Sequence, residues 1–284
     1  MNRRLIALGA VVLFLTACPA KQVTYEATLY YADRDLRYLV PVSRSVTASR
    51  AALPASVMAQ LQTPPGGLTS VLPEGTTIKS VDRAQDTVTV TLQPAKTGLQ
   101  GAALVQEAIA LSLVGVDGIK EIRLQGLPTG EASLDFSQPT GRPRYPNRWI
   151  EADDGERAWV TVCWQTKDHR FLVPVSVPAG SDALAERLAV WQAGPQAGRK
   201  LLFDRLWTAN APLVLAGQQG NTVTVTVPGD LAGVDKRWRH ALAWTLTEFP
   251  GAEHVRLSGN KDSMAADAGG VVDRPLVLNV ESHS

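Results

Sequence analysis

The chain has 284 residues, a formal net charge of +1 and a charged fraction of 19%. A nearly neutral chain lacks the positive charge that attracts a phosphate backbone, so we expect no nucleic acid among its partners. Hydrophobic residues make up 45% of the sequence, as in ordinary globular proteins. The length exceeds what one small core requires and predicts two domains.

The amino terminus has the layout of a secretory signal peptide. Arg3 and Arg4 precede an apolar run from Leu5 to Leu15, and small residues follow before a cysteine. The run is about half of the ~20 residues that a membrane-spanning helix needs, so we expect this segment, residues 1–17, to be removed.

The junction Leu15-Thr16-Ala17-Cys18 resembles a lipobox, the site at which a bacterial prolipoprotein receives its lipid. The resemblance implies cleavage between Ala17 and Cys18 and a diacylglyceryl group on the Cys18 thiol. Two acyl chains hold a protein stably at a bilayer. We therefore expect the protein at the extracytoplasmic face of a cell membrane, with residues 18–22 as a short tether. An ordinary signal peptide with an incidental cysteine is the alternative.

The rest of the chain contains an internal repeat. Three matched pairs of segments occur in the same order at nearly constant spacing: Arg37–Ser43 with Arg170–Ser176, Thr87–Thr91 with Thr222–Thr226, and Ile122–Gly126 with Val255–Gly259. Such self-similarity predicts two homologous domains, at 23–136 and 157–284.

The first domain is predicted to be a mixture of strands and helices. Runs of β-branched and aromatic residues predict strands at 23–31, 38–46, 76–81, 87–92, 119–124 and 132–136. Apolar residues at helical spacing predict helices at 51–62 and 99–114. Residues 137–156, which contain Pro139, Pro143 and Pro146, are predicted to be a semi-rigid linker. Arg142, Arg144 and Arg148 could contact lipid head groups there, or simply be solvated.

The second domain repeats this order. Strands are predicted at 158–165, 171–177, 214–216, 223–227, 255–257 and 276–280, and helices at 182–192 and 236–249. The predicted fold class is α+β, with two helices packed on one face of a mixed β-sheet in each domain.

This order of elements resembles the GerM-type (GerMN) domain of sporulation and germination lipoproteins. Gly67–Thr76 matches that family's mid-domain loop, and Ala193–Pro195 and Leu246–Gly251 match its helix ends. Ala110–Val114 and the loop from Lys200 to Asn210 depart from the family pattern. The resemblance implies a fold like the ring-building modules of secretion-type assemblies, and scaffolding or protein contact in place of catalysis.

Residues with catalytic or metal-binding potential are few. Among the four histidines, His169, His240, His254 and His283, none stands at a metal-ligand spacing from another histidine or a cysteine. Cys163 lies in an alternating strand pattern and is predicted to be buried. We therefore predict no enzyme activity, no metal and no cofactor.

Five residues are candidates for binding a partner. Pro41 and Pro174 cannot donate to a sheet ladder, so their strands are predicted to be edges, where another chain can dock. Trp238 lies between Arg237 and Arg239, a combination common in protein interfaces, although core packing is the alternative for this tryptophan.

The leading hypothesis is a lipid-anchored, non-catalytic envelope scaffold that binds another envelope protein or itself. The alternative is a glycan- or small-ligand-binding lipoprotein with a cleft between the domains, lined by Trp238 or Trp207. A hydrolase would need a polar cluster around His240 or His254. Since few residues separate Cys18 from the first strand, the first domain is expected at the membrane and the second beyond the linker, freer to meet a partner.

Overall fold

The computed structural model describes residues 21–93, 102–126, 138–148, 157–207, 212–228, 235–259, 271–273 and 278–279. The signal peptide, Cys18 and the strand predicted at 132–136 lie outside these residues. The first domain contains β1 (Gln22–Ala32), β2 (Leu39–Ser49), α1 (Leu53–Leu61), β3 (Thr77–Ala84), β4 (Thr87–Gln93), α2 (Ala102–Leu113) and β5 (Glu121–Gln125).

The second domain repeats these elements in the same order. It contains β6 (Ala158–Thr166), β7 (Leu172–Ala179), α3 (Leu184–Ala193), β8 (Phe203–Asp204), β9 (Val214–Gln219), β10 (Thr222–Val227), α4 (Lys236–Thr247), β11 (His254–Gly259) and β12 (Val271–Asp273). The predicted α+β class with two equivalent domains is confirmed. In the segment predicted as a strand at 276–280, the described residues 278–279 form a bend.

The strands of each domain form two sheets. The hairpin β1–β2 is a sheet of its own, and β3-β4-β5 is a mixed sheet in which β4 and β5 run parallel. The second domain has the sheets β7-β6-β8 and β12-β11-β10-β9, with β10 and β11 parallel. The repeated sequence therefore specifies the same strand pairing twice.

A buried hydroxyl joins the second helix of each domain to its hairpin. The Ser112 hydroxyl of α2 accepts a hydrogen bond from the backbone N–H of Tyr30 at 3.0 Å and donates to its own helix. In the second domain, the Thr245 hydroxyl of α4 accepts from the N–H of Cys163 at 2.9 Å in the same way. These hydroxyls satisfy N–H groups that the hairpin partner strand does not reach.

The buried side chains of both domains form one continuous hydrophobic core. Its largest members include Trp164 and Trp191, which are almost completely buried. Cys163 is fully buried, as predicted. Among the described helices, none is both long and apolar enough to cross a bilayer.

Candidate functional site

The two proline strands face each other across the domain contact. In the described structure β2 pairs only with β1, and β7 has no ladder partner other than β6, so both are edge strands, as predicted. However, β2 and β7 lie beside each other, and Pro41 and Pro174 are buried there. The prediction that these prolines offer an edge to another chain is therefore wrong, because each domain covers the other's edge.

Two asparagines bridge these edges. The first, Asn147, accepts a hydrogen bond from the N–H of Leu39 through its Oδ1 at 2.6 Å. Its Nδ2 donates to the carbonyl oxygens of Leu39 and Pro174, both at 2.7 Å. One side chain thus satisfies three backbone groups from both domains.

The second asparagine repeats this arrangement with the domains exchanged. The N–H of Leu172 donates to Asn279 Oδ1 at 2.8 Å, and Asn279 Nδ2 donates to Leu172 O at 2.8 Å and Pro41 O at 2.7 Å. Both asparagines are buried. We call Asn147 and Asn279 the asparagine clamps. The sequence did not reveal them, because their role depends on backbone groups that lie far away along the chain.

The described part of the predicted linker is built into the two domains. Thr140 exchanges backbone hydrogen bonds with Ile122 of β5, at 2.8 and 2.9 Å. Farther along, Pro146 O accepts the N–H of Ser176 in β7 at 3.1 Å. Residues 138–148 therefore tie the domains together, and the expectation that the second domain is freer than the first does not hold for this contact.

The predicted tryptophan–arginine patch is part of the core. Trp238 is only 4% exposed and its ring lies 5.9 Å from that of Trp191 and 5.3 Å from that of Trp207, centroid to centroid. Arg237 Nη1 donates to the carbonyl of His169, and Arg239 is half-buried. The core-packing alternative for Trp238 is therefore confirmed, and the prediction of this residue as a partner contact is wrong, since hydrophobic packing of α4 outweighs the preference of tryptophan for interfaces.

The exposed sheet edges lie elsewhere. In the described structure, β3 and β9 each pair with one strand only and carry mostly exposed or half-exposed residues. Each has a bulge, at Lys79 in β3 and at Ala216 in β9. Bulges are a common means of limiting uncontrolled pairing at an edge.

A cavity of about 460 Å³ lies where residues 142–145 meet the second domain. Its lining combines basic, aromatic, acidic and small groups: Arg142, Pro143, Arg144, Tyr145, Trp159, Thr161, Asp182, Arg187, Glu248 and Pro250. Neither Trp238 nor Trp207 is among these residues, so this is not the cleft that the sequence predicted.

Arginine and aromatic side chains alternate at this cavity. The guanidinium carbon of Arg148 lies 4.2 Å from the ring centroid of Trp159, and that of Arg144 lies 5.2 Å from the centroid of Tyr145. The two rings are 6.4 Å apart. Such cation–π contacts hold both the rings and the guanidinium groups in place.

Arg187 is a buried cation at the cavity. It is 5% exposed, and its Nη1 donates to the carbonyl of Thr161 at 3.0 Å. Among the described residues, none accepts a hydrogen bond from its Nε, which is buried. Burial lowers the pKa of Arg187, and this effect outweighs the opposing attraction of Glu248 and Asp182. A buried guanidinium remains charged nevertheless, so it favours an anion nearby.

Titratable groups outside the cavity include Cys163, His240 and His254. In the described part of the chain, no group of three histidine, cysteine or acidic residues is close enough to hold a metal ion. Burial raises the pKa of the Cys163 thiol and lowers the pKa of His240. His254 Nδ1 lies 2.7 Å from Asp273 Oδ1 near the surface.

Comparison with known proteins gives a consistent result. Residues 28–126 match the model of a family described as Germane: sporulation and spore germination. No curated protein matches the chain. The tandem GerMN domains of the sporulation protein GerM from Bacillus subtilis match 92% of this chain and 100% of their own, with 18% identity and a TM-score of 0.66. The first GerMN domain of that protein alone matches 42% of this chain and 93% of its own, with 19% identity and a TM-score of 0.32. Residues 28–126 thus match the Germane family, and the two domains together have the fold of tandem GerMN domains.

Proposed function

We propose that the chain is a lipid-anchored, non-catalytic envelope protein that acts as a scaffold and binds a second envelope protein or another copy of itself. The asparagine clamps are the observation that carries this proposal. They fix the two domains as one unit, and a rigid unit keeps its exposed edges at a constant separation. The Bacillus subtilis protein that shares the tandem GerMN fold is a sporulation protein.

A lipid on Cys18 would limit the distance between the bilayer and the domain contact. Only three residues separate Cys18 from β1, and they reach about 10 Å when extended. The 11 residues of β1 then run about 36 Å to Ala32, which pairs with Leu39 beside the domain contact. A lipid on Cys18 would therefore place the domain contact within roughly 45 Å of the bilayer.

The edges β3 and β9 are the proposed docking places. An exposed edge strand offers a row of backbone donors and acceptors to an extended segment of another chain. The bulges at Lys79 and Ala216 interrupt each row, which limits the length of strand that can add.

Site-specific photo-cross-linking in intact cells tests this proposal. A photoreactive amino acid replaces Lys79 in β3 or Gln218 in β9, both exposed, and Lys200, an exposed lysine in a short helical turn, provides the matched control. We expect protein adducts or dimers from the two edge positions and none from Lys200. A Cys18→Ser strain should lose these adducts from the membrane fraction. If neither edge forms an adduct with any protein, the scaffold proposal is rejected.

Binding of a glycan or small ligand is a second candidate function. The arginine–aromatic cavity favours it, although the cavity lies at residues 142–145 and the second domain and not at Trp238 or Trp207.

A further inference from the structure

We propose that the cavity between residues 142–145 and the second domain binds an acidic saccharide, with its carboxylate on Arg187 and a sugar ring against Trp159 and Tyr145. This inference goes beyond the scaffold proposal and does not depend on it. Three features of the cavity support it: a buried cation, two aromatic rings and a wall fixed by the domain contact.

The buried cation specifies a negative charge. Arg187 lines the cavity and is fixed there by the hydrogen bond from its Nη1 to the Thr161 carbonyl. A carboxylate in the cavity would give this guanidinium the charge-assisted hydrogen bonds that favour arginine at such sites. Arg142 and Arg144, exposed at the mouth, attract the same charge.

The other lining groups fit a sugar better than a simple anion. Trp159 and Tyr145 provide apolar surface for the C–H groups of a sugar ring, while Asp182 and Glu248 provide acceptors for its hydroxyls. The volume of about 460 Å³ falls in the ~300–1,000 Å³ range of small-molecule sites. Two carboxylates would repel a small bare anion, so the mixed lining favours a ligand whose hydroxyls can bind Asp182 and Glu248 while its own carboxylate binds an arginine.

The cavity is held in shape by the domain contact. Tyr145 is two residues from the clamp residue Asn147, and Pro146 O accepts both the N–H and the hydroxyl of Ser176, at 3.1 and 2.8 Å. The Arg142 guanidinium also reaches the Tyr30 hydroxyl of the first domain, at 3.4 Å. A wall fixed in this way lowers the ordering cost of binding.

Calorimetric titration of the full-length protein in detergent tests the proposal with three probes. These are digalacturonate, the neutral disaccharide digalactose and inorganic phosphate. We expect digalacturonate to bind at least about tenfold more tightly than either of the others, because only it combines a sugar ring with a carboxylate. Equal binding of digalactose would overturn the role of Arg187, and equal binding of phosphate would overturn the role of the rings.

Variants locate the binding. Arg144→Ala and Trp159→Ala should each weaken digalacturonate binding about tenfold, whereas Arg256→Ala, an exposed arginine of β11, should leave it unchanged. Arg187→Gln tests the buried charge directly, with its fold checked by circular dichroism. If Arg187→Gln does not fold, the binding measured for Arg144→Ala tests the role of the positive charge. Binding unaffected by both Arg144→Ala and Trp159→Ala would place the ligand elsewhere and overturn the proposal.

Discussion

Replacement of either asparagine clamp by alanine is expected to destabilise the whole protein. Asn147→Ala removes three buried side-chain hydrogen bonds and leaves the Leu39 N–H, the Leu39 carbonyl and the Pro174 carbonyl without their amide partner. A typical intramolecular hydrogen bond contributes ~1 kcal/mol net, so the free energy of unfolding should fall by about 3 kcal/mol. For a chain of this size, that corresponds to a decrease in Tm of roughly 6–12 °C.

The equivalent variant Asn279→Ala should show a similar loss, because Asn279 makes the same three hydrogen bonds with the domains exchanged. Asn221→Ala is the matched control. That side-chain amide donates to Glu253 on the surface, so its loss should change the free energy of unfolding by less than ~0.5 kcal/mol. Urea denaturation followed by tryptophan fluorescence measures all three.

A distance measurement separates a loose domain contact from a general loss of stability. Spin labels on cysteines placed at the exposed Ala59 of α1 and Ala185 of α3, in a Cys18→Ser background, report the separation of the domains. We expect a narrow distance distribution in the parent protein and a broad one in Asn147→Ala/Asn279→Ala. If both single variants stay within 0.5 kcal/mol of the parent and the distribution remains narrow, the reasoning about the clamps is refuted.

Three further predictions concern buried groups. Thr245→Val should lower the free energy of unfolding by ~1–3 kcal/mol, since it leaves the Cys163 N–H unpaired. The control Thr224→Val, on the half-exposed face of β10, should have little effect in the same denaturation assay. The thiol of Cys163 should react with iodoacetamide in denaturant but not in the folded protein, because burial raises its pKa and excludes the reagent. Mass spectrometry measures the labelling, and labelled Cys163 in the folded protein would contradict this prediction. Burial also raises the pKa of the Glu107 carboxyl in the folded protein. As the pH rises, Glu107 therefore loses its proton at a lower pH in the unfolded chain than in the folded protein, and the parent loses stability. Glu107→Gln keeps an acceptor for the Asn147 N–H. The free energy of unfolding of this variant relative to the parent should increase as the pH rises from about 4.5 through the raised pKa of Glu107. A difference between the two proteins that does not change with pH would contradict the burial argument.

The local elements were largely predictable from the sequence because their signals are local. Alternating residues predicted the hairpin strands, and Thr87–Thr91 and Thr222–Thr226 predicted the buried, parallel-paired strands β4 and β10. The repeat predicted equivalent domains because both copies keep the same pattern of buried positions. Which edges meet could not be predicted in this way, since strand pairing depends on contacts between distant segments.

The candidate sites show the same limit. Pro41 and Pro174 correctly predicted edge strands, but a missing N–H does not reveal what lies opposite that edge. The neighbouring arginines wrongly indicated that Trp238 is exposed. Successive residues of a helix point to different faces, so Arg237 and Arg239 do not determine which face Trp238 occupies. Arg187 gave no signal, because its burial arises only when α3 packs against β6.

Each clamp needs both domains, and this reciprocity gives the duplication a physical consequence. Asn147 follows the first domain and Asn279 lies in the second, yet each binds a leucine of one domain and a proline carbonyl of the other. An isolated domain would expose a proline edge with unpaired carbonyl groups, which is a liability for any sheet. Two copies of the domain in one chain cover the edges of β2 and β7 at once. Pro41 and Pro174 have no N–H that would be buried without an acceptor, and the asparagine clamps donate to the proline carbonyls. The internal contact therefore covers the edges of β2 and β7, and the bulged edges β3 and β9 are among the described edges that remain open to a further strand.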